Sequence, residues 1–162
     1  MSNSSLSLYK IANFPSKFTP SKHPFSVTIG FGGNIGNMNR RFKKLYNYLL
    51  RHPHIDIVQT SPLLQNPPFG YLEQADFING VMLIQTSLYP TQLLDQLQHI
   101  EKIFGRIRTF SNAPRTLDLD IIFFESKKLY NKRLIIPHPD WQNRQSVIAP
   151  LGAIHKRLSL RR

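Results

Sequence analysis

The sequence predicts an α+β fold of the ferredoxin-like type, in which an antiparallel sheet carries helices on one face and the order is β-α-β-β-α-β. Two observations support this prediction. Four segments carry the alternating or continuous apolar residues of strands, and two longer segments repeat apolar residues at helical spacing between them. The predicted strands cover residues 25–31, 55–61, 77–86 and 117–124, and the predicted helices run from 37 or 39 to about 52 and from 90 to 104.

The first strand and helix have clear boundary signals. Residues 25–31 alternate between apolar and small or polar residues, as a half-buried strand does. A glycine-rich turn follows at 32–37, and either Asn37 or Asn39 can cap the next helix, which Pro53 stops.

The second helix and its flanking strands are predicted on similar grounds. Residues 77–86 are almost continuously apolar, which is typical of a central strand. Pro90 stands in the first turn of the helix, where proline is favoured, and Gly105 ends it. The last strand begins at Leu117.

The remaining segments are predicted to be irregular. Residues 1–24 are rich in Ser, Asn, Pro and Lys, and we predict a flexible tail there, followed by a single domain over residues 25–162. The tail has no acidic residue, which also fits a transit peptide, but it has no arginine either. Residues 66–71 carry too many turn residues for a regular element, and after Phe124 the chain is short and irregular, although an extra strand could form at 133–136.

The composition excludes several classes of protein. The 162 residues contain no cysteine, which excludes disulfides and thiolate metal sites. No apolar run reaches the roughly 20 residues that cross a bilayer, and no signal-peptide core is visible, so a cytoplasmic location is expected by default. The net charge of +12 favours anionic partners, namely nucleotides, nucleic acid or acidic membranes, without choosing among them.

The segment from Asn112 to Phe124 carries the strongest chemical signal. Apolar residues alternate with polar ones from Leu117, so Asp118 and Asp120 point to one face of a strand. Neighbouring carboxylates repel each other, and two Mg²⁺ ions about 3.5–4 Å apart would relieve the repulsion. Arg115 could bind a phosphate in a bidentate manner, or it could simply neutralise two carboxylates on an ordinary exposed strand.

Two common nucleotide-binding motifs are absent from the sequence. Gly30 and Gly32 would need a third glycine where Ile35 stands to form a dinucleotide fingerprint. No Gly-x4-Gly-Lys-Ser/Thr stretch occurs, which excludes a P-loop kinase. The glycine cluster therefore predicts no more than a tight turn.

Two blocks of the sequence resemble one enzyme family. PRTLDLDI at residues 114–121, followed by RLIIPHP at residues 133–139, is similar to the signature of the 6-hydroxymethyl-7,8-dihydropterin pyrophosphokinases, and the similarity runs from about Phe25 to Ile154. The resemblance implies an enzyme of folate biosynthesis that transfers pyrophosphate from ATP to the pterin alcohol. It also implies direct attack by the hydroxymethyl oxygen on the β-phosphorus, with AMP leaving.

The resemblance assigns roles on the ATP side. Asp118 and Asp120 would hold two Mg²⁺ ions, and Arg115 and Arg144 would act with them in catalysis by neutralising charge on the transferred group. ATP would be bound by Glu101, Arg106, Arg108, Arg115, Ile121, Arg133, His138 and Arg144. Glu101 could instead pair with nearby basic residues, and His138 could lie on an ordinary surface turn.

The resemblance also assigns a pterin side. Phe77 would stack on the pterin ring and Asn79 would bind its edge, together with the backbone of the loop that follows Gln65. The implied pterin-binding residues are Asn66, Pro67, Phe69, Phe77 and Asn79.

Two positions depart from the family pattern. Ser146 stands where relatives often carry a second stacking phenylalanine, and Asn112 stands where some carry a tryptophan. Another aromatic residue from the loop, Tyr71 or Phe69, could cover the open side of the ring.

Two other functions remain open from the residues. RNA-recognition domains share the β-α-β-β-α-β order and would suit a charge of +12, but residues 77–84 lack their Lys/Arg-Gly-Phe run. A non-enzymatic pterin carrier would agree with Ser146. The expected protein is a monomeric enzyme of small molecules, with no nucleic-acid partner and no membrane attachment.

Overall fold

The computed structural model describes the backbone of residues 7–159 and the side chains of residues 7–154. In that range the strands are β1 (Leu8–Tyr9), β2 (Phe25–Gly33), β3 (Ile55–Thr60), β4 (Leu63–Asn66), β5 (Phe77–Thr86), β6 (Asp118–Phe124), β7 (Leu129–Tyr130) and β8 (Ile135–Ile136). The helices are α1 (Met38–Leu50), α2 (Pro90–Ile103) and α3 (Gln145–Ser159), with a 3-10 turn at Trp141–Asn143.

The central sheet contains six antiparallel strands. Its order is β1-β4-β5-β2-β6, and β3 pairs with the part of β5 that β4 leaves free. β3 and β4 thus act as two halves of one strand that is interrupted at Pro62, and the order β6-β2-β5-β3 is that of a ferredoxin-like fold. The predicted α+β class is confirmed, whereas β4 was not predicted.

The helices cover both faces of the sheet. Phe42 and Leu45 of α1 and Leu93 and Leu97 of α2 belong to the larger core on one face. On the other face, α3 packs Val147, Leu151 and Ile154 against Val81 of β5 and Ile122 of β6. The predicted packing of α1 and α2 on one face is confirmed, but the prediction of irregular chain after Phe124 is wrong because it missed α3.

A proline within α3 makes this helix hard to predict from the sequence. Val147, Leu151 and Ile154 recur at helical spacing, which is a usable signal. Pro150 lies inside the same helix, where a proline cannot donate the usual hydrogen bond to the carbonyl four residues earlier. The buried apolar stripe against the sheet outweighs this local cost.

The segment before β2 is part of the fold. β1 pairs with β4 at the edge of the sheet, and Phe14 is completely buried against three aromatic rings of the core. The backbone N–H of Ser16 donates to Oγ1 of Thr60 at 2.8 Å, and the N–H of Thr60 donates to Oγ of Ser16 at 3.0 Å. The predicted flexible tail, and with it the domain boundary at 25, is therefore wrong for residues 7–24; residues 1–6 lie outside the described range.

The remaining boundaries agree well with the sequence. Asn37 caps α1, because its side chain accepts from the N–H of Arg40 at 3.1 Å. Tyr89 precedes α2, and its backbone N–H donates to Oε1 of Gln92 at 3.0 Å, so the Gln92 side chain satisfies one free donor at the start of the helix. The extra strand suggested at 133–136 exists as β8, which pairs with β7. No helix in the described backbone has the length and apolar character to cross a bilayer.

Candidate active site

β6 presents two carboxylates on the sheet face that α3 covers. The apolar residues of β6 alternate into the larger core, so Asp118 and Asp120 point to the opposite side. In the neighbouring strand β2, Gly30 lies opposite Asp120 and Gly32 lies opposite Asp118. Both glycines lie beside the aspartates in the sheet, and neither adds a side chain to the face that carries the carboxylates.

Asp118 is held by two arginine side chains. Nη1 of Arg106 donates to its Oδ1 at 2.8 Å, and Nη1 of Arg115 lies 3.3 Å from its Oδ2. Arg106 also donates to Glu101 at 2.7 Å, so one guanidinium bridges two carboxylates. Arg115 thus neutralises Asp118 in this structure, as one of the two predicted roles of Arg115 requires.

Asp120 has a different electrostatic environment. Burial, followed by the negative charges of Asp118 and Glu101, raises its pKa from 3.8 to about 7, and the more distant Arg144 and Arg106 offset only part of this effect. A cation beside Asp120 would lower this pKa.

The aspartates fit a divalent metal as a pair of ligands. Among the described residues there is no group of three or more His, Cys, Asp or Glu side chains arranged to hold a metal ion. Carboxylate oxygens suit Mg²⁺, which is commonly held by one or two carboxylates together with substrate phosphates. The donor set of Asp118 and Asp120 agrees with that pattern.

A cleft of about 290 Å³ lies on one side of the aspartates, between α2, β6 and the β7–β8 ribbon. Five of the eight residues predicted to bind ATP line it, together with Asp120: Glu101, Arg108, Ile121, Arg133 and His138. The structure thus brings these residues together, and their contact with ATP stays a prediction.

Glu101 and Arg133 both pair with other groups of this chain. Glu101 is 4% exposed and accepts from the N–H of Leu119 at 2.8 Å as well as from Arg106 and Arg108. Burial raises the pKa of Glu101 more strongly than these donors lower it. Arg133 pairs with Asp95 on α2 at 2.5 Å. The alternative role of Glu101, pairing with nearby basic side chains, is therefore observed.

His138 is fixed at the mouth of the same cleft. The backbone N–H of His138 donates to the carbonyl of Ile122 at 2.9 Å, and its ring Nδ1 accepts from the backbone N–H of Asp140 at 3.3 Å. Burial and the charge of Arg144 lower the pKa of His138. Both effects favour the neutral imidazole, and the contact with the N–H of Asp140 favours Nδ1 as the acceptor nitrogen.

A second pocket, of about 350 Å³, lies on the other side of the aspartates. It is lined by all five predicted pterin residues: Asn66, Pro67, Phe69, Phe77 and Asn79. Arg115, Arg144 and Ser146 also border it. Asp118 borders this pocket and Asp120 borders the cleft, so the carboxylates stand between the two.

The aromatic and amide groups of this pocket are well supported. Nδ2 of Asn79 donates to Oδ1 of Asn66 at 2.6 Å, which gives the strand amide the partner that its burial requires. A Cβ at Gly32 would collide with the Asn79 amide, so the glycine makes room for it. Phe77 is 9% exposed, and the guanidinium of Arg115 lies 5.2 Å from the centre of its ring.

Comparison with known proteins identifies the family. Residues 28–156 match the sequence profile described as 7,8-dihydro-6-hydroxymethylpterin-pyrophosphokinase (HPPK). The chain belongs to this family. It is an ATP-using pyrophosphokinase.

Several bacterial relatives carry the name 2-amino-4-hydroxy-6-hydroxymethyldihydropteridine pyrophosphokinase. The Campylobacter jejuni protein is 47% identical over 130 residues, which cover 80% of this chain and 83% of the relative. The Helicobacter pylori protein is 40% identical over 143 residues, covering 86% and 87%. The Bacillus subtilis protein is 37% identical over 126 residues, covering 78% and 75%.

The sequence analysis did not predict one hydrogen-bond network that borders this candidate site. Nδ2 of Asn34 donates to Oε1 of Gln74 at 2.8 Å, and Oδ1 of Asn34 accepts from the N–H of Arg115 at 2.9 Å. Nε2 of Gln74 in turn donates to the carbonyl of Asn112 at 2.9 Å. The network ties the loop after β4 to the loop before β6. Nothing in the local sequence around Gln74 signals these contacts, since they join distant segments.

Proposed function

We propose that this enzyme transfers the pyrophosphoryl group of ATP to 6-hydroxymethyl-7,8-dihydropterin, with Mg²⁺ as cofactor. The position of Asp118 and Asp120 between two pockets carries the proposal. One pocket holds the residues expected to contact ATP, and the other holds those expected to contact a pterin. Such a layout suits transfer from one substrate directly to the other.

The proposed reaction is an in-line displacement. The hydroxymethyl oxygen of the pterin forms a bond to the β-phosphorus, the bond from that phosphorus to the oxygen bridging to the α-phosphorus breaks, and AMP leaves with the electron pair. The hydroxyl proton goes to solvent. The chain contributes by positioning the two substrates and by placing positive charge where negative charge develops.

Asp118 and Asp120 would hold the Mg²⁺ ions. When bound, these ions would neutralise charge on the ATP phosphates. Arg106 and Arg115 donate hydrogen bonds to the Asp118 carboxylate and hold its orientation. Asp120, whose pKa is raised to about 7, gains most from a cation.

The arginines divide between the two pockets. Arg108 and Arg133 line the cleft and would contact ATP together with His138 and Ile121. Arg115 and Arg144 border the pterin pocket and would reach the phosphoryl group as it crosses between the substrates.

An assay of product identity tests the proposal. Phosphorus NMR of a mixture of protein, Mg²⁺, ATP and the pterin alcohol should show AMP and a pterin diphosphate forming in equal amounts. Neither product should form when the pterin is left out. Release of ADP, or ATP breakdown without the pterin, would contradict the proposal.

The physical state of the protein stays a prediction. We expect a monomer in the cytoplasm that binds no nucleic acid, because the positive charge is expected to serve ATP and solubility. Light scattering should give the mass of one chain, 18.8 kDa. Sequence-selective RNA binding at physiological salt would contradict the expected absence of a nucleic-acid partner.

A further inference from the structure

A groove of about 720 Å³ lies between α1 and α2, lined by side chains from residues 44–54 together with Gln96 and Phe104. These two helices pack on the sheet face opposite to the one that α3 covers, whereas Asp118 and Asp120 point toward α3. The α1–α2 groove shares no described lining residue with the cleft or the pocket beside the aspartates. Its volume lies within the range of small-molecule sites, so it is a second place where a ligand can bind.

The described lining of the α1–α2 groove includes four basic side chains and no acidic one. Lys44 and Arg51 are exposed, and neither forms an ion pair with a carboxylate in the part of the chain that the structure describes. Burial, followed by the positive charges of His54 and His23, lowers the pKa of His52. A concave surface lined by charges of one sign attracts ligands of the opposite sign, so this groove favours an anion.

Two carbonyls at the end of α1 already have hydrogen-bond partners. The carbonyl of Tyr48 accepts from the N–H of Arg51 at 3.2 Å, and that of Leu49 accepts from the N–H of His52 at 3.1 Å. These bonds reduce the repulsion that free carbonyls at a helix C-terminus exert on an anion. The ring Nδ1 of His52 accepts from the N–H of His54 at 3.1 Å, which leaves its Nε2 as the nitrogen that can donate to a ligand.

Aromatic rings and amides complete the α1–α2 groove. Tyr48 and Phe104 are half-buried, and their rings pack edge to face with centres 6.1 Å apart. Such rings give a flat base a surface on which it can stack. Asn47 and Gln96 line the same groove, and an amide side chain both donates and accepts, as the edge of a nucleobase requires. The groove therefore combines groups that suit a base with groups that suit a phosphate.

We propose that the α1–α2 groove is a second ligand site, which binds a nucleoside monophosphate. The base lies against the rings of Tyr48 and Phe104, and the phosphate is held by the basic side chains at the end of α1. The transfer reaction proposed above does not use this site, so either proposal can fail without the other.

An NMR titration with AMP in EDTA tests where a nucleotide binds, because EDTA suppresses metal-dependent binding at the aspartates. We expect the backbone amides of residues 47–54 and of Phe104 to shift together along one saturation curve. Adenosine lacks the phosphate and inorganic phosphate lacks the ring, so each should bind there more weakly than AMP does. Amide shifts confined to the residues around the aspartates, or a Kd above about 1 mM at the groove, would overturn the proposal.

The charge of the site is tested by Lys44→Glu, for which Lys43→Glu is the matched control. Both lysines are exposed and adjacent in α1, and only Lys44 lines the groove. We expect Lys44→Glu to weaken AMP binding about 10-fold or more, the effect of losing a charge-assisted hydrogen bond. Lys43→Glu should bind AMP nearly as the wild type does. Equal losses in the two variants would mean attraction by net charge alone and would overturn the site.

The aromatic wall is tested by Tyr48→Leu, which keeps an apolar side chain and removes the ring. AMP should bind about 5-fold to 150-fold more weakly, the range for loss of one stacked aromatic face. An unchanged Kd would overturn the proposal, as would an RNA oligonucleotide that binds the groove more tightly than AMP. Tyr48 packs against the core, so a melting curve should accompany this variant. If Tyr48→Leu does not fold, the comparison of Lys44→Glu with Lys43→Glu still decides the outcome.

Discussion

Replacing Asp120 by asparagine should stabilise the metal-free protein while it lowers turnover by about 100-fold or more. The shift of the Asp120 pKa from 3.8 to about 7 spans about 3 units, each of which corresponds to about 1.36 kcal/mol above pH 7, or about 4 kcal/mol. Because Asp120 is only half-buried, water screens part of this cost, and we expect a gain of about 1–2 kcal/mol from Asp120→Asn. For a protein of this size the melting temperature should rise by about 2–8 °C.

The raised pKa of Asp120 also predicts how the stability of the metal-free protein changes with pH. A raised pKa means that the folded protein binds the Asp120 proton more tightly than the unfolded chain does. The wild-type protein should therefore lose stability as the pH rises from about 4 to about 7. Melting curves in EDTA at several pH values should show a larger loss in the wild type than in Asp120→Asn, in which the raised pKa of Glu101 still acts.

Asp118→Asn is the matched control, because it removes an equal charge from the same strand. Asp118 accepts hydrogen bonds from Arg106 and Arg115, and the Arg106 side chain is 11% exposed. Losing these charge-assisted bonds should lower the free energy of unfolding by about 1–3 kcal/mol. Turnover should fall by about 100-fold or more in both variants. Stability changes of the same sign in the two variants, or near-normal turnover in either, would refute this account of the site.

Three further predictions follow from the same geometry. The affinity for Mg²⁺, measured by calorimetry with a non-hydrolysable ATP analogue present, should rise with pH through about 7 and then level off, because Asp120 must lose its proton to bind a cation; a flat profile between pH 6 and 8 would count against the assignment. Mg²⁺ with that analogue at 100 times its Kd should add about 2.7 kcal/mol to the free energy of unfolding, and an equal shift in EDTA would contradict a metal role. Phe14→Ala should cost about 3–5 kcal/mol in urea denaturation, because Phe14 is completely buried; a flexible tail would make this change neutral.

The sequence predicts those parts of the site that depend on local periodicity. Alternation along β6 places Asp118 and Asp120 on one face whatever the rest of the chain does. The family resemblance then supplies residues from distant segments, and the structure gathers most of them into two neighbouring pockets. The bridge from Arg106 to Asp118 could not be predicted, because it depends on the path of a loop without periodic structure.

The main errors arose where tertiary packing overrides local signals. The chain after Phe124 was predicted to be irregular, yet burial of an apolar stripe against the sheet stabilises α3 in spite of Pro150. The composition of residues 7–24 is that of a disordered segment, yet the buried ring of Phe14 holds it in the core, and the pairing of β1 with β4 adds to this attachment. Composition averages over a segment, so it cannot reveal one well-placed anchor.

The buried ring of Phe14 belongs to the folded core, although it lies outside the residues that match the family profile. The match to the family's sequence profile starts at residue 28, whereas the Phe14 ring, which packs against Phe31 and Phe42, lies earlier in the chain. Phe31 lies in β2 between Gly30 and Gly32, which pair with the aspartates. Phe14 therefore packs against the core side of the strand that borders the candidate site. A protein shortened to residues 28–156 would lack Phe14 and would expose the rings of Phe31 and Phe42 to water. Such a protein should tend to self-associate.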